Sequence, residues 1–102
     1  MSELFDLAAR QLERHSSLDA IEARGTLRIA LKAGGVDART VEEPELRAVL
    51  EKLMPRELEV RGIADPEAVC RAVLLDIERE YAPRAAARAE NADDVFRRLG
   101  GD

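Results

Sequence analysis

Apolar residues recur along this chain at i, i+3, i+4 and i+7, stop at a Pro or Gly, and start again. The stripe runs through Phe5, Ala8 and Leu12, then Leu46, Val49, Leu50 and Leu53, then Val69, Val73, Ile77 and Tyr81. This is the spacing of amphipathic helices that each bury one face. A first helix is predicted from about Glu3 to His15, with Glu3 and Asp6 early and Arg10 and Arg14 late, the charge order a helix macrodipole favours. Ser16 or Ser17 should cap a second helix, Ser16 and Asp19 having capping-box spacing. Gly34 and Gly35 should end that helix near Ala33. So short a connection predicts antiparallel neighbours.

The second helix carries two apolar rows, one of Leu18, Ile21, Gly25 and Ile29, the other of Ala23, Leu27, Ala30 and Leu31. Two rows leave little face for water, so this helix is predicted to be central and the most buried. Gly25 costs it about 1 kcal/mol relative to Ala, and close approach of a neighbouring helix is the expected return. A third helix should start between Thr40 and Pro44: Thr40 and Glu43 fit a capping box, whereas Pro44 suits a first helical turn. It ends before Pro55, which either kinks it or opens a short helix from Arg56 to Arg61, closed by Gly62. Asp65, Pro66 and Glu67 supply an N-cap acceptor, a Pro at the first helical position and an early acid, and the helix they start should reach about Glu80.

Thr26 to Lys32 and Glu57 to Ile63 also alternate as strands would. Two lone strands so far apart in sequence make a marginal sheet, and the Ala-rich flank of the first favours helix. The expectation is therefore an all-α fold, a small bundle of four or five helices over residues 1–83. A tail over residues 84–102 begins Ala-rich and closes with Asn91, Asp94, Val95, Phe96 and Leu99. It predicts a short helix over 92–99 that is too short to stand alone and so docks on the body, docks on a partner, or frays. No internal repeat is present.

Composition narrows the function classes. The chain has 102 residues, enough for one domain with a real core, and that core must be aliphatic because Phe5, Phe96 and Tyr81 are the only aromatic residues. Base-stacking platforms for single-stranded nucleic acid are thereby disfavoured. The net charge of −5 resides in residues 41–83, which hold six basic against eleven acidic side chains. Such a field repels nucleic acid and anionic lipid. With one cysteine, Cys70, no intrachain disulfide can form. No signal-peptide pattern and no membrane-spanning run is found, so a cytoplasmic location is expected. Heavy use of Arg and Ala, with Lys32 and Lys52 the only lysines, points to a GC-rich bacterial genome.

Candidate chemistry is sparse, and the sequence calls for no cofactor. His15, the single histidine, resembles a phosphoacceptor only in projecting from a helix; without a following Lys-Gly it is read as a last-turn residue near the helix carbonyls. Cys70 shares the inner stripe with Val73, Leu74 and Ile77 and is read as a packing residue. Glu42, Glu43 and Glu45 lack the ligand spacing of a calcium loop and suit a helix N-terminus. Asp76/Glu80 and Asp93/Asp94 read as solvated charges rather than an acid and a base.

Two features remain. Arg24, Arg28 and Lys32 repeat every four residues along the second helix without an acid at i±4, so their repulsion must be relieved by charges elsewhere. The acidic segment 41–83 is the expected source, with a docking strip for an acidic protein partner as the functional alternative. Val95, Phe96 and Leu99 either cover the open end of the bundle or anchor it in a groove of another chain. The favoured function is an interaction or regulatory module, acting on an acidic partner or by self-association. A helical nucleic-acid binder using Arg24, Arg28, Lys32 and Arg39 is the first competitor. An enzyme, for which no catalytic set can be named, is the second.

Overall fold

In the computed structural model, which describes residues 2–81, five helices follow one another: α1 (Glu3–His15), α2 (Ala20–Ala33), α3 (Glu43–Lys52), α4 (Met54–Val60) and α5 (Pro66–Glu80). No strand occurs among the described residues, and both alternating segments lie largely in helices, the first in α2 and the second in α4. The tail, with Val95, Phe96, Leu99 and the helix expected over 92–99, lies outside the described residues.

The local stop and start signals act much as the sequence predicts, with three corrections. α1 spans the predicted range and is capped by Ser2, whose hydroxyl accepts from the Phe5 N–H at 3.1 Å. Ser16 does not start α2; its hydroxyl donates to the Leu12 carbonyl at 2.6 Å and accepts from the Leu18 N–H, so it ends α1. The cap of α2 is Asp19, which accepts from the Glu22 N–H at 2.8 Å while the Glu22 carboxylate accepts from the Asp19 N–H at 3.1 Å. A carboxylate at both places gives a reciprocal box, a stronger arrangement than Ser16 or Ser17 offers. Between the two candidate starts of α3, the structure selects the one nearer Pro44. Glu42 is the N-cap, its N–H donating to the Glu45 carboxylate at 3.0 Å.

Pro55 opens a separate short helix rather than kinking α3, and, as a second correction, that helix runs Met54–Val60 and not from Arg56 to Arg61, with Pro55 in its first turn. The third correction is at Asp65, which precedes α5 but makes no side-chain capping bond. Its φ of 49° is left-handed, whereas an N-cap acceptor works from extended backbone. The exits of α2 and α4 use glycine as predicted. Gly35 at φ 73° and Gly62 at φ 76° take left-handed positions at which a Cβ would be strained.

The core is a single aliphatic cluster. Phe5, Leu27, Leu50, Met54 and Leu58 are fully buried, and Leu7, Leu12, Leu31, Leu46, Val73 and Ile77 very nearly so. α1 packs against both α2 and α5, with α3 and α4 completing the bundle. Antiparallel packing of α1 and α2 brings Asp6 to Arg24, and antiparallel packing of α1 and α5 brings Gln11 to Glu80 and His15 to Asp76.

α1, not α2, is the most buried helix, with seven buried residues against five. Within α2 itself only one of the apolar rows faces the core, that of Ala23, Leu27, Ala30 and Leu31; of the other, Leu18 is buried, just ahead of the helix. In the other row Ile21 is 83% and Ile29 49% exposed, because no described helix covers that side. Among the described residues nothing lies within 4 Å of where a Cβ of Gly25 would stand, so no neighbouring helix packs against it. The expected return on its helix-breaking cost is absent among the described residues.

Candidate functional site

The cation ladder of α2 divides into one engaged and two unengaged residues. Arg24 Nη1 donates to Asp6 Oδ1 at 2.9 Å, and its guanidinium lies 5.1 Å from the centroid of the buried Phe5 ring, within cation–π range. Its counter-charge thus comes from α1 and not from the acidic segment 41–83. Arg28 and Lys32 are exposed and make no ion pair with a described residue. A helix turns by 3.6 residues, so Arg28 and Lys32 share the outward side of α2 with Ile21, Gly25 and Ile29. The result is a strip that is both apolar and cationic.

Arg39 does not extend this strip as a free cation. In the loop after α2, its guanidinium holds the Asp37 carboxylate through Nε at 3.2 Å and Nη2 at 3.0 Å. The same contact holds the Asp37 carboxyl below its ordinary value and raises Arg39 above its own. One acid of α3 is likewise engaged, by Arg47 of the same helix. Glu43 lies 3.6 Å from Arg47, and Arg47 Nη2 donates to Glu78 Oε1 of α5 at 2.7 Å. No group of three or more His, Cys, Asp or Glu suited to a metal ion exists among the described residues.

His15 and Asp76 form a bridge that neither residue's sequence context announces: His15 Nε2 donates to Asp76 Oδ2 at 2.5 Å. Beside it, Gln11 Nε2 donates to Glu80 Oε1 at 3.3 Å, while the buried Gln11 Oε1 has no hydrogen-bond partner among the described residues. This polar seam joins α1 to α5 and lines neither of the two surface depressions described next. The solvated reading of Asp76 is therefore corrected, and the helix-end reading of His15 gains a partner on another helix.

The larger depression is a groove of about 890 Å³ between α3, α4 and α5. Leu50, Pro55, Val60, Cys70 and Leu74 supply its apolar lining, with Leu50 and Cys70 almost fully buried beneath it, and Lys52, Arg56 and Arg71 stand among the charged residues of its rim. A smaller depression continues from it toward Asp65 and Pro66. Cys70 is 2% exposed, and burial, with the Glu67 charge adding to it, pushes its thiol up to about 12. A thiol so protonated is no nucleophile, which agrees with its packing role.

Sequence reasoning placed the cation ladder correctly on α2 but missed the groove and the outward Ile21 and Ile29. The groove depends on three helices and leaves no local signal. The isoleucines did leave one: Gly25 at the centre of their row marks a poor packing surface. Against models of known protein families, characterised proteins and solved structures, the chain finds no match.

Proposed function

We propose that this chain is a small helical protein–protein interaction module that binds an acidic protein along the outer face of α2. The observation that carries the reading is the strip itself, in which the exposed Ile21 and Ile29 stand beside Arg28 and Lys32, neither of which makes an ion pair with a described residue. Burying an isoleucine side chain fully contributes about 1.5–3 kcal/mol, so the two supply the affinity. The cations select an acidic partner and speed its approach. Gly25 lets a partner helix come close to the α2 backbone. The unpaired thiol of Cys70 fits a reducing compartment such as the cytoplasm, and no described helix is long and apolar enough to cross a membrane.

The test is affinity capture with the wild-type chain and two double variants, Ile21→Asp/Ile29→Asp and Arg28→Glu/Lys32→Glu. The reading requires an acidic protein that the wild type retains and both variants lose. Retention of the same proteins by both variants would overturn it. So would capture dominated by nucleic acid with a steep salt dependence, or a dimer in sedimentation that the isoleucine variant abolishes, which would make the partner a second copy.

A further inference from the structure

We propose that the groove between α3, α4 and α5 is the docking site of the chain's own C-terminal segment, with Val95, Phe96 and Leu99 seated on Leu50, Pro55, Cys70 and Leu74. This site is distinct from the α2 strip and does not depend on the function proposed for it.

The tether selects this occupant. α5 forms one wall of the groove and is also the helix from which the segment departs, at Tyr81. Leu74, in the lining, precedes Tyr81 by about 10 Å of helix. The eleven residues 82–92 can span at most about 36 Å, ample to turn back along α5. The α2 strip is a poorer target, because α1 packs between α2 and α5 and the linker would have to pass around it. A short tether also gives the segment an effective concentration that a free partner would have to exceed.

The chemistry of the two surfaces matches. Val95, Phe96 and Leu99 fall at i, i+1 and i+4, one side of a helical turn, and Phe96 is the single aromatic residue beyond Tyr81. Asp93 and Asp94 precede them, and Arg97 and Arg98 lie between Phe96 and Leu99. On the groove rim Lys52, Arg56 and Arg71 come from three different helices and make no ion pair with a described residue. They provide counter-charges for the two aspartates, while Glu51, Glu59 and Glu67 on the same rim do so for the two arginines. A segment of mixed charge thus meets a rim of mixed charge around an apolar floor.

A nitroxide at Arg98→Cys in the full-length, isotope-labelled chain tests the arrangement, with the deeply buried Cys70 left in place. The expected result is loss of amide signal at Lys52, Val60, Arg71 and Leu74, little loss at Ile21 and Ile29, and recovery at the groove on adding Phe96→Asp or Arg71→Glu. An unchanged amide spectrum of α1 verifies that the Phe96→Asp variant leaves the bundle folded. Absence of groove broadening, or equal broadening over α2, overturns the proposal. A mixture of isotope-labelled chain without nitroxide and unlabelled chain with it must show no groove broadening. If it does, the segment docks on a second copy and the intrachain proposal falls.

Discussion

His15 and Asp76, 61 residues apart in sequence, meet at 2.5 Å between the last turn of α1 and the middle of α5. A carboxylate can only accept, so the imidazole carries its proton on Nε2 in this bond. Both side chains are mostly shielded, with 28% and 17% of their surfaces exposed, which places the contact between a surface pair and a core pair. It closes one end of the α1–α5 seam, and Gln11 with Glu80 continues it.

Replacing His15 by Ala should therefore lower stability by about 1–2 kcal/mol, since it strands a largely shielded carboxylate. Asp76→Ala should do the same, and the double variant should cost less than the two single ones together. Urea denaturation of the four chains measures the coupling. Strict additivity would show that the pair contributes nothing as a pair.

Gly25→Ala should stabilise the chain by about 0.5–1 kcal/mol, because the site is mid-helix and the added Cβ meets nothing within 4 Å. Gly34→Ala should bring no such gain. There the Cβ would lie 3.1 Å from Leu53 Cδ1 and 3.3 Å from Val49 Cγ2. Thermal melts of both variants make the comparison. If Gly25→Ala also weakens capture of the acidic partner, close approach to α2 is what the glycine provides.

The buried thiol predicts an alkaline loss of stability. Folding raises Cys70 from 9.0 to about 12, so at high pH the unfolded chain gives up its proton before the folded one does. The contribution is fully present below pH 9.0 and is lost progressively as pH climbs toward about 12. Stability measured by urea at pH 8 and 10 should fall in the wild type, and this part of the fall should vanish in Cys70→Ala. A disulfide-exchange reagent at neutral pH should leave the native thiol unmodified and label it once the chain is unfolded.

Gln11→Met should raise stability by up to about 1 kcal/mol. It removes a buried acceptor that has no partner among the described residues and whose desolvation costs about 1–3 kcal/mol. It gives up one long bond to Glu80, at 3.3 Å. The urea midpoint reads the change directly, and a clear loss would mean that the carbonyl is satisfied in solution.

The sequence by itself determined where the helices lie. Pro44, Pro55, Pro66, Gly35 and Gly62 act on their own backbone and on partners within four residues, so their effects are legible without a fold. Where two local signals of similar kind competed, as between Ser16 and Asp19, the stronger reciprocal cap won. Tertiary structure alone decided which faces meet. α2 offers two apolar rows, and periodicity cannot rank them. Packing against the other helices buries Ala23, Leu27, Ala30 and Leu31 and leaves Ile21 and Ile29 outward. The same holds for Arg24 with Asp6, for His15 with Asp76, and for the groove between α3, α4 and α5. Each joins groups brought together only when separate helices bury a common core, an event driven by non-directional apolar burial that no local motif encodes.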